Sequence, residues 1–405
     1  MSSKTPRHQA SPSFVLSRRR ALAAPAAAVL AGVLGPTLLA ACGGGGDDAA
    51  ASSSGYTSGP ITGLGSIIVG GVRFEDSNAR VEDEDGALHS RSELRLGMVV
   101  EVESSSIDDS VGSGVAALVR FGAEMKGPVA SIDAAAQTLR VLDQTVEVRG
   151  ETVFDALLVG GFSAIQVGQI LEIHALFDST SGHYLATRIE LEDNASEYRL
   201  RGVISQHDGT AKTFNIGDAI INYASADMTD APSLADGQRV RVRLQTVQVG
   251  GQWVATRVRR GVRNIDGVAD VRIRGFVNAF TSATQFEVNG IPVDATNASV
   301  EGTVQEGALV EVRGSVANGT LFASRVKVID RLGDEIMRFE LHGQISALDT
   351  TAQTFMLREV KVSYANVLEW KDGSAADLAD GKEVEVKGLW SEDRSVMRAV
   401  VIEFE

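Results

Sequence analysis

The sequence predicts an all-β chain built from one small module repeated in tandem. The first observation is a short pattern written five times, a glycine followed by an apolar–charged–apolar triplet. The copies are Gly97-Met98-Val99-Val100-Glu101-Val102, Gly168-Gln169-Ile170-Leu171-Glu172-Ile173, Gly237-Gln238-Arg239-Val240-Arg241-Val242, Gly307-Ala308-Leu309-Val310-Glu311-Val312 and Gly381-Lys382-Glu383-Val384-Glu385-Val386. The glycines recur roughly every 70 residues, the signature of a repeat architecture. The second observation is period-2 alternation over short runs, which reads as strands rather than helices. The third is composition: 42 glycines and 5% aromatic residues in 405 suit small barrels with many turns.

Taken in order, residues 1–41 read as an export leader. Ser17-Arg18-Arg19-Arg20 precedes an alanine-rich apolar run to Ala41, the charged and hydrophobic regions of a signal peptide. The run ends in Leu39-Ala40-Ala41-Cys42, which resembles a bacterial lipobox, so Cys42 is expected to be acylated and to become the mature N-terminus. A membrane-spanning helix is the alternative for a run of this length. Its small residues and the interruptions at Pro25 and Pro36 argue for the lipoprotein signal. Ser17-Arg18-Arg19 with Leu22 also resembles a twin-arginine signal, with Ala21 where that motif commonly has Phe, and both export routes stay open. Gly43 after the cysteine points, by resemblance to the enterobacterial sorting rule, to the outer membrane. Residues 42–60, with four consecutive glycines and then Asp, Ala and Ser, are expected to be a flexible tether.

Five β units are then expected, at 61–123, 124–195, 196–265, 266–332 and 333–405. Each opens with a strand around a glycine, such as Arg201-Gly202-Val203-Ile204 or His342-Gly343-Gln344-Ile345. Two short strands follow, then a variable link and the central strand quoted above. A closing strand carries Ala-x-x-Val or Ala-x-x-Ile, as from Ala186 to Ile189, Ala255 to Val258, Ala323 to Val326 and Ala399 to Ile402. Five short strands with a link between the third and fourth match a small OB-like barrel. The first unit lacks an obvious opening strand and is read as incomplete or as an N-terminal cap. The units are expected to form a semi-rigid chain with short linkers near Glu124, Ser196, Asp266 and Gly333.

The units resemble the small tandem domain of unknown function that recurs in proteobacterial lipoproteins. The opening Gly65-Ser66-Ile67-Ile68-Val69-Gly70-Gly71-Val72-Arg73-Phe74 resembles the way those proteins begin. The resemblance implies a barrel fold and a cell-envelope location, and it implies no activity, cofactor or catalytic residue.

The formal net charge is −15, and removal of the leader with its five basic residues leaves 33 basic against 53 acidic residues. So acidic a body repels phosphate backbones, and nucleic acid is not an expected partner. Phe214, Phe286 and Phe355 hold equivalent places in their units, which suits core packing better than base stacking. The tryptophans Trp253, Trp370 and Trp390 are placed differently and read either as core or as sugar contacts. With one cysteine, no intrachain disulfide is possible.

Unit three is the exception to the acidic balance. Arg239, Arg241 and Arg243 alternate with Val240 and Val242, so they share one face of a strand. Arg257, Arg259 and Arg260 lie on or just after the closing strand. These six form a candidate site for phosphate, sulfate or carboxylate groups, which guanidinium forks recognise. The competing reading is an electrostatic joint with the end of unit two, where Glu190 and Glu192 are the expected partners. Glu82-Asp83-Glu84-Asp85-Gly86 offers oxygens for a hard cation but lacks the spacing of a calcium loop. The histidines are not at metal-ligand spacing and read as surface residues, although His174 and His183 flank one hairpin loop. No metal, cofactor or catalytic motif is expected. The chain reads as a non-catalytic envelope lipoprotein that is membrane-anchored through Cys42 and binds a protein or polysaccharide or serves as a spacer. The alternative is an envelope enzyme, or an accessory subunit of one, working in a cleft between units.

Overall fold

The computed structural model describes residues 55–329, 339–391 and 394–405. The leader, Cys42 and the expected linker at Gly333 lie outside the described residues. Ala51–Glu405 forms one compact unit, distinct from Met1–Ala50, and the fold below concerns that unit alone.

The repeated pattern folds as its period requires. In unit five the opening strand is Phe339–Asp349, followed by the hairpin Thr354–Leu357 and Val360–Ser363, the central strand Glu383–Trp390 and the closing strand Met397–Phe404. The opening strand pairs antiparallel with both the second strand and the central one. The third strand pairs parallel with the closing strand, which returns antiparallel to the central strand. That circuit closes a five-stranded barrel and leaves no free edge in its core. The same circuit recurs in unit two, unit three and unit four. In all five central strands the two apolar residues of the triplet are buried at 0 or 1% exposure.

The repeated alanine has a structural cause. The closing strand carries a β-bulge at one equivalent place in every unit: opposite Glu103/Ser104, His174/Ala175, Arg243/Leu244, Arg313/Gly314 and Lys387/Gly388 of the central strand, the register skips Ala117, Thr187, Thr256, Ser324 and Val400. Each bulged residue directly follows the alanine that opens Ala-x-x-Val: Ala116, Ala186, Ala255, Ala323 and Ala399. The extra residue bends the closing strand around the barrel, and a small residue just before it leaves room for the bend.

Unit one corrects the sequence reading. Its opening strand, Gly55–Leu64, begins inside the stretch expected to be tether. With it the unit completes the same barrel circuit. The Arg-Gly-x-Val signature is replaced by Gly59-Pro60-Ile61, which hid the strand. The unit is no terminal cap either, because it sits at the centre of the assembly. Its opening strand runs parallel to the opening strands of units four and five, at 55–58 against 270–273 and at 63–64 against 340–341. Gly65 and Gly97 mark two close approaches: a Cβ on either would lie 2.4 Å from His342 of unit five or from the Thr187 carbonyl of unit two.

The semi-rigid string of beads is likewise overturned. Units two and three share one hydrophobic core, and units one and five share another. Leu176, Leu185, Phe276, Leu309 and Ile329 form a small cluster against Val99, joining units one, two and four. The expected linker at Glu124 is 4% exposed and hydrogen-bonded through both its backbone groups. Small barrels have marginal cores, and burial against neighbours supplements them.

Candidate functional site

Of the six arginines of unit three, Arg239, Arg241 and Arg243 form a joint, but with partners other than those expected. Arg239 holds Glu124 at 2.7 Å. Arg241 reaches Glu84 at 3.3 Å and Asp85 at 3.2 Å, and Arg243 pairs with Asp85 and Glu197. Arg201, from the opening strand of unit three, meets Glu84 at 2.5 Å. The acidic run of unit one, considered above as a cation site, is therefore engaged by the basic face of unit three. Glu190 and Glu192 turn elsewhere, to Arg188 and Lys126. Burial lowers the pKa of Arg241 and Arg243, the latter also through the charge of Arg257. Beside the joint a polar cavity of about 610 Å³ opens, lined by Arg257, Arg259 and Arg260. Arg259 is held by Asp227 at 2.6 Å, whereas Arg260 is exposed.

His174 also departs from its expected surface position. It is fully buried at the centre of the assembly and accepts the Val99 N–H on Nδ1 at 3.3 Å. Burial pushes it down to about 4, against the raising pull of Glu190. His183 is half-buried beside Glu147, not against His174. Glu172, His174 and Glu190 have ligand-type atoms within 4.8 Å of one another. Lys126 and Arg188 already neutralise the two carboxylates at 3.2 and 2.7 Å. The Val99 bond leaves the proton on Nε2, so the ring is not presented as a metal ligand.

A second, larger cleft was not visible in the sequence. It lies where units one, two and five meet, and its volume is about 790 Å³. Unit one contributes Arg91 from a 3₁₀ turn, Arg91–Glu93, set by a Ser90/Glu93 capping box, and Arg95 just after it. Unit two contributes the link from Val153 to Gly160, and unit five the hairpin from Met356 to Lys361 with Trp390. Leu94, Leu96, Val153 and Leu158 form a buried apolar floor. Asp76, 5% exposed, lies 3.4 Å from Arg91, and burial raises its carboxyl above the ordinary range. Only the capping box hinted at this site. The other walls come from segments far apart in the chain.

Phe214, Phe286 and Phe355 are all buried in their barrels, as the sequence implied. Trp253 is buried and donates its Nε1–H to Asp143 at 2.8 Å across units two and three. Among the described residues no helix is long and apolar enough to cross a membrane.

Fold and repeat define a tandem array of OB-like barrels packed into one body. Residues 126–190, 274–327 and 342–403, in units two, four and five, match the family model described as a domain of unknown function, DUF5666. No curated protein matches. A solved structure described as drosophila Unr CSD456 is similar at 17% identity with a TM-score of 0.14, the match covering 51% of this chain and 96% of that one. A TM-score of that size carries no argument about function.

Proposed function

We propose that this protein is a non-catalytic, lipid-anchored binding protein of the bacterial cell envelope. In this reading Cys42 is acylated, Gly43 directs the anchor to the outer membrane, the segment that follows holds the body off the membrane, and the five barrels form a rigid platform. The observation that carries binding, over a spacer role, is the cleft between units one, two and five. Its volume lies within the usual range of ligand sites, and it sits at a domain junction where such sites concentrate. The arginine face of unit three supports the platform, because Arg241 and Arg243 are already paired with Glu84 and Asp85 of unit one. The acidic body argues against nucleic acid as the partner. The partner is a protein, a polysaccharide or a smaller envelope molecule that enters the cleft.

Ala156 lines the cleft and is exposed, so Ala156→Trp fills it without touching a barrel core. Envelope extract passed over the wild-type and Ala156→Trp chains is expected to leave a specific molecule on the first and not on the second. Equal retention by both would refute the cleft as the binding site. An enzyme using this cleft is the second reading, favoured by the raised carboxyl of Asp76. General acid–base work by carboxyls calls for a second carboxylate with a separated pKa. The charged groups that act on Asp76 most strongly are Arg91, the neighbouring Glu75 and Arg358. Loss of a hydrolytic activity in Asp76→Asn, with binding intact, would favour the enzyme.

A further inference from the structure

The cleft has a chemical character that narrows its ligand. Its floor is apolar, and Val159 at its mouth is 80% exposed, an uncovered apolar side chain beside the buried ones. Its charge is opposite to that of the chain. Six basic residues (Arg91, Arg95, Arg188, Arg358, Lys361 and Arg394) line it against three acidic ones (Asp76, Asp155 and Glu359), in a protein of net charge −15. Some of these charges are matched: Arg95 holds Glu359 at 2.7 Å, and Arg188 holds Glu190.

Arg91 and Arg358 are not matched in the same way. They share the influence of one carboxylate, Asp76, which lies 3.4 Å from Arg91. The Arg358 Nε–H donates to the His342 carbonyl at 2.8 Å, a neutral partner. Burial lowers the pKa of Arg358, the charge of Arg91 lowers it further, and Asp76 opposes them. One added anion would relieve two cations gathered at one end of an apolar cleft. Trp390 lines the same cleft, and its Nε1–H is buried without an acceptor among the described residues. Phe154 of the wall lies under the Arg394 guanidinium at 5.6 Å.

We infer that the cleft binds an anionic amphiphile, with an acyl chain along the apolar floor and a carboxylate or phosphate head at Arg91 and Arg358. This rests on the reading of the protein as a binding protein that uses this cleft. A polysaccharide would call for polar groups along the whole floor, whereas this floor is leucine and valine. An acidic protein segment would use the arginines and make no use of the apolar lining.

The test uses the full chain carrying Cys42→Ser, so that it brings no acyl group of its own. Palmitate, lysophosphatidylglycerol and the uncharged hexadecanol are titrated below their aggregation limits and followed by tryptophan emission and calorimetry. Palmitate or the lysolipid is expected to bind at least about tenfold more tightly than hexadecanol, and the tighter of the two tells a free acid from a phospholipid source. Arg358→Gln and Arg91→Gln are each expected to weaken the anionic ligands about tenfold and to leave hexadecanol unchanged. Ala156→Trp is expected to abolish binding of all three while the melting temperature holds. Equal affinity for palmitate and hexadecanol, or palmitate binding unchanged in Ala156→Trp, overturns the inference. If no amphiphile binds, yet a macromolecule is retained by the wild type and lost in Ala156→Trp, the amphiphile falls and the binding-protein reading stands. If neither is seen, both fall.

Discussion

Glu84 is the point on which the joint between units one and three turns, and Glu84→Gln tests it at nearly constant volume. Its side chain is 11% exposed and meets Arg201 at 2.5 Å and Arg241 at 3.3 Å, themselves 17% and 18% exposed. An exposed pair contributes about 0–1 kcal/mol, whereas removing one partner of a buried pair costs about 3–5 kcal/mol. Burial places Glu84 near the second case. Two features reduce the loss: Arg201 keeps Glu124 at 3.4 Å, and Arg241 keeps Asp85 at 3.2 Å. We therefore expect a destabilisation of about 2–3 kcal/mol near neutral pH. The pH dependence has a definite sign. Burial pushes the Glu84 carboxyl up, but Arg201, Arg241 and Arg199 together outweigh it and hold it below its ordinary value. A depressed carboxylate contributes stability above its unfolded pKa and loses it as pH falls through the folded one. The gap between wild type and Glu84→Gln should therefore narrow as the solution becomes strongly acidic. Urea unfolding can be followed through tryptophan emission and, separately, through far-ultraviolet circular dichroism, since coincidence of the two checks that one transition is being read. A loss below about 0.5 kcal/mol at neutral pH, the size of an ordinary surface change, would refute the claim that the joint holds the units together. So would a gap that stays constant into acid.

Two further perturbations probe the interior. His174 is held down to about 4, so the unfolded chain takes up a proton before the folded one does. Stability should fall as pH drops from about 6.5 toward 4, by on the order of 3 kcal/mol, and His174→Asn, which keeps an acceptor for Val99 but cannot be protonated, should flatten that window; parallel profiles for the two proteins would contradict the assignment. Ala399 is 3% exposed, pairs with Gly388 and directly precedes the bulged Val400, so Ala399→Leu should cost about 1–3 kcal/mol by overpacking, while Ala352→Leu at an exposed turn should stay within about 0.5 kcal/mol. Equal midpoints in thermal unfolding for the two alanine variants would remove the bulge as the reason for the repeated alanine.

Much of the fold could be read from one dimension because a strand has period 2 and each barrel closes on local partners. Val384 and Val386, like their counterparts in the other four units, had to face inward once Glu385 faced out. The repeated alanine was visible too, although its cause, the bulge at the residue after it, needed the strand register. The basic face of unit three was also legible, since Arg239, Arg241 and Arg243 alternate with buried valines. The opening strand of unit one was missed because Gly55–Leu64 lacks the repeated signature and follows a Gly/Ala/Ser run. Its partners there are strands of units four and five more than 200 residues away. The expected partner of the arginines was wrong for the same kind of reason. Nearness in the chain favoured Glu190 and Glu192, whereas packing brought Glu84 and Asp85 across from unit one. The cleft of Arg91, Leu158, Arg358 and Trp390 comes from three units that the repeat period treats as equivalent. The alternation of apolar and polar residues determined each barrel, because those contacts lie within one module. How the barrels meet was decided by the matching of charged and apolar outer faces, and no periodicity records which face meets which.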